Sequence, residues 1–86
     1  MSIQVIDRAV RILDTVSQNG GATLSSIRAE TSLPISTVSR ILDTLATHAL
    51  VERDEGQRTY SLGRRFLTLS SRVHQQAANL IKLLAT

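Results

Sequence analysis

Eighty-six residues, 42% of them hydrophobic, suffice for one small domain with one core but leave little room for a scaffold that also encloses a catalytic pocket. Ten basic and seven acidic residues give a formal charge of +3, a mild and scattered excess that permits nucleic-acid binding without requiring it. Cysteine is absent, which removes disulfides, thiol catalysis and thiolate ligands; with no signal region and no run of roughly twenty apolar residues, a cytoplasmic chain without a membrane partner is expected.

The first predicted helix runs from about Ile3 to Ser17. Val5, Ile6, Ala9, Val10, Ile12, Leu13 and Val16 form a broad apolar stripe, with Asp7, Arg8, Arg11 and Asp14 opposite. Asn19, Gly20 and Gly21 break it, because all three tolerate positive φ at a helix end. A short second helix is expected from Thr23, whose hydroxyl can cap free N–H groups, to about Thr31. Thr31, Ser32 and Leu33 then turn the chain into a third helix that opens at Pro34, where a missing N–H costs nothing, and reaches about His48. The pair reads as a helix-turn-helix whose angle is closed by Leu24, Ile27, Leu33 and Val38.

Beyond His48 the period changes. Leu50–Asp54 and Arg58–Leu62 read as two short strands around Glu55-Gly56-Gln57, with Gly56 supplying the φ of a tight turn. Val51, Tyr60 and Leu62 would face the core, and Glu52, Thr59 and Ser61 water. Gly63 separates this hairpin from a last helix, Arg64 to about Thr86. The fold class is thus mainly α with a small antiparallel β-hairpin, divided into residues 1–63, a helix-turn-helix with a wing, and residues 64–86, a linker or dimerisation helix.

The third helix carries the chemistry. Val38, Ile41, Leu42 and Leu45 share one face, while Ser36 and Arg40 point away and Thr37 and Ser39 lie on the flanks. Short hydroxyls let a backbone approach DNA closely, and a guanidinium can bridge guanine O6 and N7, so this front suits a major groove. Arg40 is the leading base or phosphate contact; its alternative is an exposed pairing with Asp43 or Glu52. Ser36 and Thr37 sit in the first turn, where backbone N–H groups also favour phosphate, and Ser39 is a weaker candidate. Asp43 either accepts from a cytosine amino group or lies beyond the DNA. In the wing, Arg58 is placed to reach a phosphate or a minor groove, or else to pair with Asp54 or Glu55. Ser25 and Arg28 of the second helix are candidates for phosphate contacts.

The stretches IDRAVRILDTV (Ile6 to Val16), TLSSIRAETSLPISTVSRILDTL (Thr23 to Leu45), VERD (Val51 to Asp54) and RTYSLG (Arg58 to Gly63) together resemble the amino-terminal DNA-binding domain of the isocitrate-lyase-regulator (IclR) family of bacterial transcription factors. The resemblance covers essentially the whole chain. It implies a winged helix-turn-helix that binds double-stranded DNA, a partly palindromic operator, as a homodimer or tetramer. It also implies a linker helix leading to an absent C-terminal domain that binds a small-molecule effector, and a repressor more often than an activator. Two positions depart from the family's pattern: Ser32 and Ala49 stand where glycine is common. A Cβ held in the left-handed region costs about 1 kcal/mol or more, so either the helices end differently here or the strain is tolerated.

Phe66, Leu69, Val73, Ala77, Leu80 and Leu84 recur at steps of three and four, a coiled-coil-like series read as a dimerisation surface together with the first helix. The alternative is a last helix packed near Phe66 and frayed beyond about Gln75. No cofactor, metal site or enzyme activity is expected: His48 and His74 stand alone, Gly20-Gly21 lacks the context of a phosphate loop, and nothing places Ser, His and Asp as a triad. The competing functional class is a winged-helix protein–protein interaction module, in which Arg40 and Arg58 would serve acidic side chains.

Overall fold

A computed structural model of the chain describes residues 2–18 and 20–85. Asn19, one of the expected helix breakers, and Thr86, the expected end of the last helix, lie outside the described residues. Elements follow in the order α1 (Gln4–Gln18), β1 (Ala22–Thr23), α2 (Leu24–Thr31), α3 (Ile35–Thr47), β2 (Val51–Asp54), β3 (Thr59–Leu62) and α4 (Arg65–Leu84). The strands form an antiparallel sheet in the order β1-β3-β2.

The core is assembled by α1, α2, α3 and the root of the wing. Ile12 and Val16 of α1, Ile27 of α2, Leu33 of the turn, Val38, Ile41, Leu42 and Leu45 of α3, Ala22 and Val51 are all buried, with Ala9, Leu13, Leu24, Leu50 and Tyr60 packed around them. The expected back of α3 is therefore the buried face. By contrast, only part of the α1 stripe is covered, since Val5, Ile6 and Val10 stay about half exposed.

The helix ends explain the turns. Thr23 is the N-cap of α2: its Oγ1 accepts the Ser26 N–H at 3.1 Å, which satisfies one of the orphan donors of the first turn. The helix stops at Ser32 in the left-handed conformation (φ 58°), whose N–H donates to the Arg28 carbonyl at 2.9 Å. A side chain from α1 reinforces this stop, for Arg11 Nη2 donates to the Thr31 carbonyl. Helix α3 ends in a Schellman motif. Ala49 (φ 58°) donates to Ala46 at 3.0 Å and Leu50 donates to Leu45 at 2.9 Å, while the Leu45 and Leu50 side chains both join the core. Both stops thus use non-glycine residues at positive φ, so the strain is tolerated rather than avoided.

Four expectations are corrected. Pro34 is the N-cap of α3, not its first helical residue: its ψ of 144° is extended, and only its carbonyl enters the helix, accepting from Val38 at 3.1 Å. The residue at positive φ in the wing loop is Arg58 (φ 53°), and Gly56 is not among such positions; the Asp54 side chain holds the loop by accepting the Gln57 N–H at 3.1 Å. The hairpin gains a third strand, as Ala22 pairs with Tyr60 and Thr23 with Thr59. Finally, Leu62, opposite Val51 in the register, remains 40% exposed while Val51 is sealed beneath the body of the domain.

Gly63 closes the structure behind the wing. Its N–H donates to the Leu50 carbonyl at 2.9 Å, and the Arg65 N–H donates to the Ala49 carbonyl at 3.0 Å. A Cβ at Gly63 would stand 2.1 Å from the Ala49 oxygen and 2.9 Å from the Leu50 carbonyl carbon, so only glycine fits. Helix α4 then continues to Leu84; Phe66 is half-buried and every other described residue of α4 is exposed.

Two substitutions test the backbone geometry in opposite directions. Gly63→Ala should destabilise the domain by about 1–3 kcal/mol through overpacking against main chain, whereas Ala49→Gly, which relieves a strained φ, should raise stability by roughly 0.5–1 kcal/mol. Urea unfolding followed by circular dichroism reads both as opposite shifts of the midpoint.

Candidate nucleic-acid interface

The outward side of α3 follows from its buried side. With Val38, Ile41, Leu42 and Leu45 fixed in the core, the helical repeat turns Ser36, Arg40, Asp43 and Thr47 to solvent, and all four are exposed. Thr37 and Ser39 are half-buried on the flanks. The hydroxyls of Ser36, Thr37 and Ser39 make no hydrogen bond among the described residues, and Arg40 pairs with neither Asp43 nor Glu52. Pro34 supplies no side-chain cap, so the N–H groups of Ile35, Ser36 and Thr37 have no acceptor within the helix. A row of short hydroxyls, one guanidinium and a positive helix end is thereby presented together.

Sequence reasoning passed over two features of this face. Thr44 and Thr47 also lie on the outer half of α3, and their hydroxyls turn back to the carbonyls of Arg40 and Asp43 at 3.1 and 3.0 Å. The helical period alone could have found them. Arg8 of α1, expected opposite the apolar stripe, lines an apolar-floored groove with Val5, Ile6, Thr37, Arg40 and Thr44, which puts a second guanidinium beside the α3 front. Only the packing of α1 across α3 reveals that proximity.

In the wing, the arginines divide. Arg53 is engaged inside the hairpin: its Nη1 lies 3.4 Å from Glu55 Oε1, and its guanidinium carbon stands 5.9 Å from the Tyr60 ring centroid. With Glu55 facing Arg53 and Asp54 accepting from Gln57, Arg58 is exposed at the loop's end and pairs with neither carboxylate. On α2, Ser25 and Arg28 are exposed; Arg28 borders a shallow recess with Ser32, Leu33 and Pro34 at the entrance to α3.

The coiled-coil-like series of α4 is left uncovered apart from Phe66. Leu69, Val73, Ala77, Leu80 and Leu84 are exposed, Val73 to 61%. No helix among the described residues is long and apolar enough to cross a membrane.

Residues 5–55 match the family model of the IclR helix-turn-helix domain. The HTH-type transcriptional regulator BhcR of Paracoccus denitrificans (strain Pd 1222) is 36% identical over 61 residues, which cover 71% of this chain and 22% of that protein. Among solved structures, an IclR-type transcriptional regulator from Alicyclobacillus acidocaldarius superposes with a TM-score of 0.80 at 28% identity, over 85% of this chain and 30% of its own. An IclR homologue from Microbacterium hydrocarbonoxydans, complexed with 4-hydroxybenzoate, gives 0.67 at 30% identity, over 76% of this chain and 27% of its own. The chain thus spans under a third of the length of these relatives. The matched stretch holds the helix-turn-helix and the first strand of the hairpin, and the chain belongs to the IclR family as a helix-turn-helix DNA-binding domain of the kind found in transcriptional regulators.

Proposed function

We propose that this domain reads a partly palindromic operator by inserting α3 into the major groove, with the wing on flanking backbone or minor groove. The observation that carries this reading is the uncommitted outer row of α3 set on a sealed back: Arg40 can reach a base edge or phosphate without first breaking an ion pair. Ser36, Thr37 and Ser39 contact bases or phosphates near the helix start, Arg58 a flanking segment, and Ser25 and Arg28 the backbone that sets register. Residues 1–63 act as reader and 64–86 as linker, a division supported by the exposure of α4, which buries no residue. Such a protein works in the cytoplasm, as a repressor in the majority habit of its family.

The apolar series of α4 and the uncovered α1 residues Val5, Ile6 and Val10 supply a surface for a second copy, so that two readers meet two half-sites. A small molecule bound to a further domain would alter the spacing of the two readers through α4. That the Microbacterium homologue was solved in complex with 4-hydroxybenzoate supports a small-molecule effector of that general kind.

Arg40→Ala should weaken binding to a selected operator by about 1–3 kcal/mol and relax preference at one position. Selection of bound sequences with wild type and variant reads both; a variant that keeps affinity and preference would remove α3 from the role of reader and favour the protein–protein module. Val73→Glu with Leu80→Glu should shift the chain from dimer to monomer in sedimentation while leaving its circular dichroism spectrum unchanged, since both residues are exposed. A wild-type monomer at high concentration would count against pairing through α4.

A further inference from the structure

The positive charge of this chain is not where the reading helix is. Positions 1–63 hold six basic and seven acidic residues, whereas positions 64–86 hold four basic residues and no acidic one, so the helix-turn-helix body is net −1 and the last segment net +4. Three of those four charges, Arg64, Arg65 and Arg72, converge on one concavity between the end of α3 and the start of α4, which they line with Thr47, His48, Thr68 and Leu69. No carboxylate lines it. All three arginines are exposed, and none is paired among the described residues. The spacing Arg65, Thr68, Arg72 forms one row along α4 that flanks the Phe66 to Leu84 stripe and meets it at Leu69.

We infer that Arg64, Arg65 and Arg72 form a phosphate-binding clamp for the backbone of the same duplex that α3 reads. This rests on the DNA reading above and extends it to a helix outside the matched helix-turn-helix. Two observations select duplex DNA as the occupant. The concavity shares Thr47 with the outward side of α3. The body, being net negative, would be repelled by a polyanion, and the concentrated charge of α4 supplies the compensating attraction. The clamp holds position and adds affinity without reading sequence.

The test uses the 86-residue chain and a labelled mixed-sequence duplex of 30 base pairs, titrated between 50 and 200 mM salt. Each phosphate contact adds about 0.9 to the slope of log K against log salt, so Arg64→Gln/Arg65→Gln/Arg72→Gln should lower the slope by about 2.7 and cut the affinity lost over that salt range by about 40-fold. The corresponding triple lysine variant, which keeps the charge, should retain the wild-type slope. Arg72→Gln alone, in the middle of an exposed helix, should lower it by about 0.9 and serves if the triple variant does not fold. A triple glutamine variant that melts like wild type and binds with an unchanged slope would overturn the clamp while leaving the DNA reading intact. Absence of salt-dependent duplex binding by the wild type would remove the DNA reading itself.

Discussion

The structure turns on one close passage of main chain. Gly63, leaving the wing, lies against the Ala49 and Leu50 backbone that has just left α3, and two hydrogen bonds, to the Leu50 and Ala49 carbonyls, lock the crossing. Because the Schellman bonds at Ala49 already fix how α3 ends, the crossing transmits that geometry to the return strand of the wing and to the first turn of α4. A side chain at Gly63 would force the two segments apart, and α4, which buries no residue, has little other packing to hold its direction.

Legibility in the sequence followed the strength of each physical signal. The buried back of α3 was readable because four apolar residues at helical spacing have only one common face, and the N-cap at Thr23 because its hydroxyl precedes an apolar run. The third strand was not: Ala22 and Thr23 are two residues, too few to show a period, and they pair only because the wing folds back over them. Nor was the loop chemistry, since Gly56 looks like the residue made for positive φ while Arg58 takes it. The Asp54 side chain, by capping Gln57, determines the path of the loop and leaves the left-handed residue last.

Ser32 and Ala49 illustrate a different limit. Sequence shows that a glycine is missing from each helix stop, but whether the helix moves its end or keeps the strain depends on what lies beyond. Leu33 and Leu50 follow the two residues, and both enter or abut the core. Burying an apolar side chain of that size is worth about 1.5–3 kcal/mol, more than the roughly 1 kcal/mol of a left-handed Cβ, so the stops stay in place. The strain is held by the core it helps to position.

The candidate interface shows its logic most clearly in how the arginines are used. Arg11 is committed to the carbonyl end of α2, and Arg53 to Glu55 and the Tyr60 ring; both hold the fold together. Arg28, Arg40 and Arg58 have no such partner among the described residues. A guanidinium that takes up a new acceptor must first lose whatever protein group held it, and these three have none to lose among the described residues. Exposed ion pairs contribute under about 1 kcal/mol, so the distinction is modest for affinity. It matters more for geometry, because an unpaired side chain can search for its acceptor while a paired one is aimed elsewhere. The same residue type thus stands in two settings, committed and free, and only the fold tells which arginine stands in which.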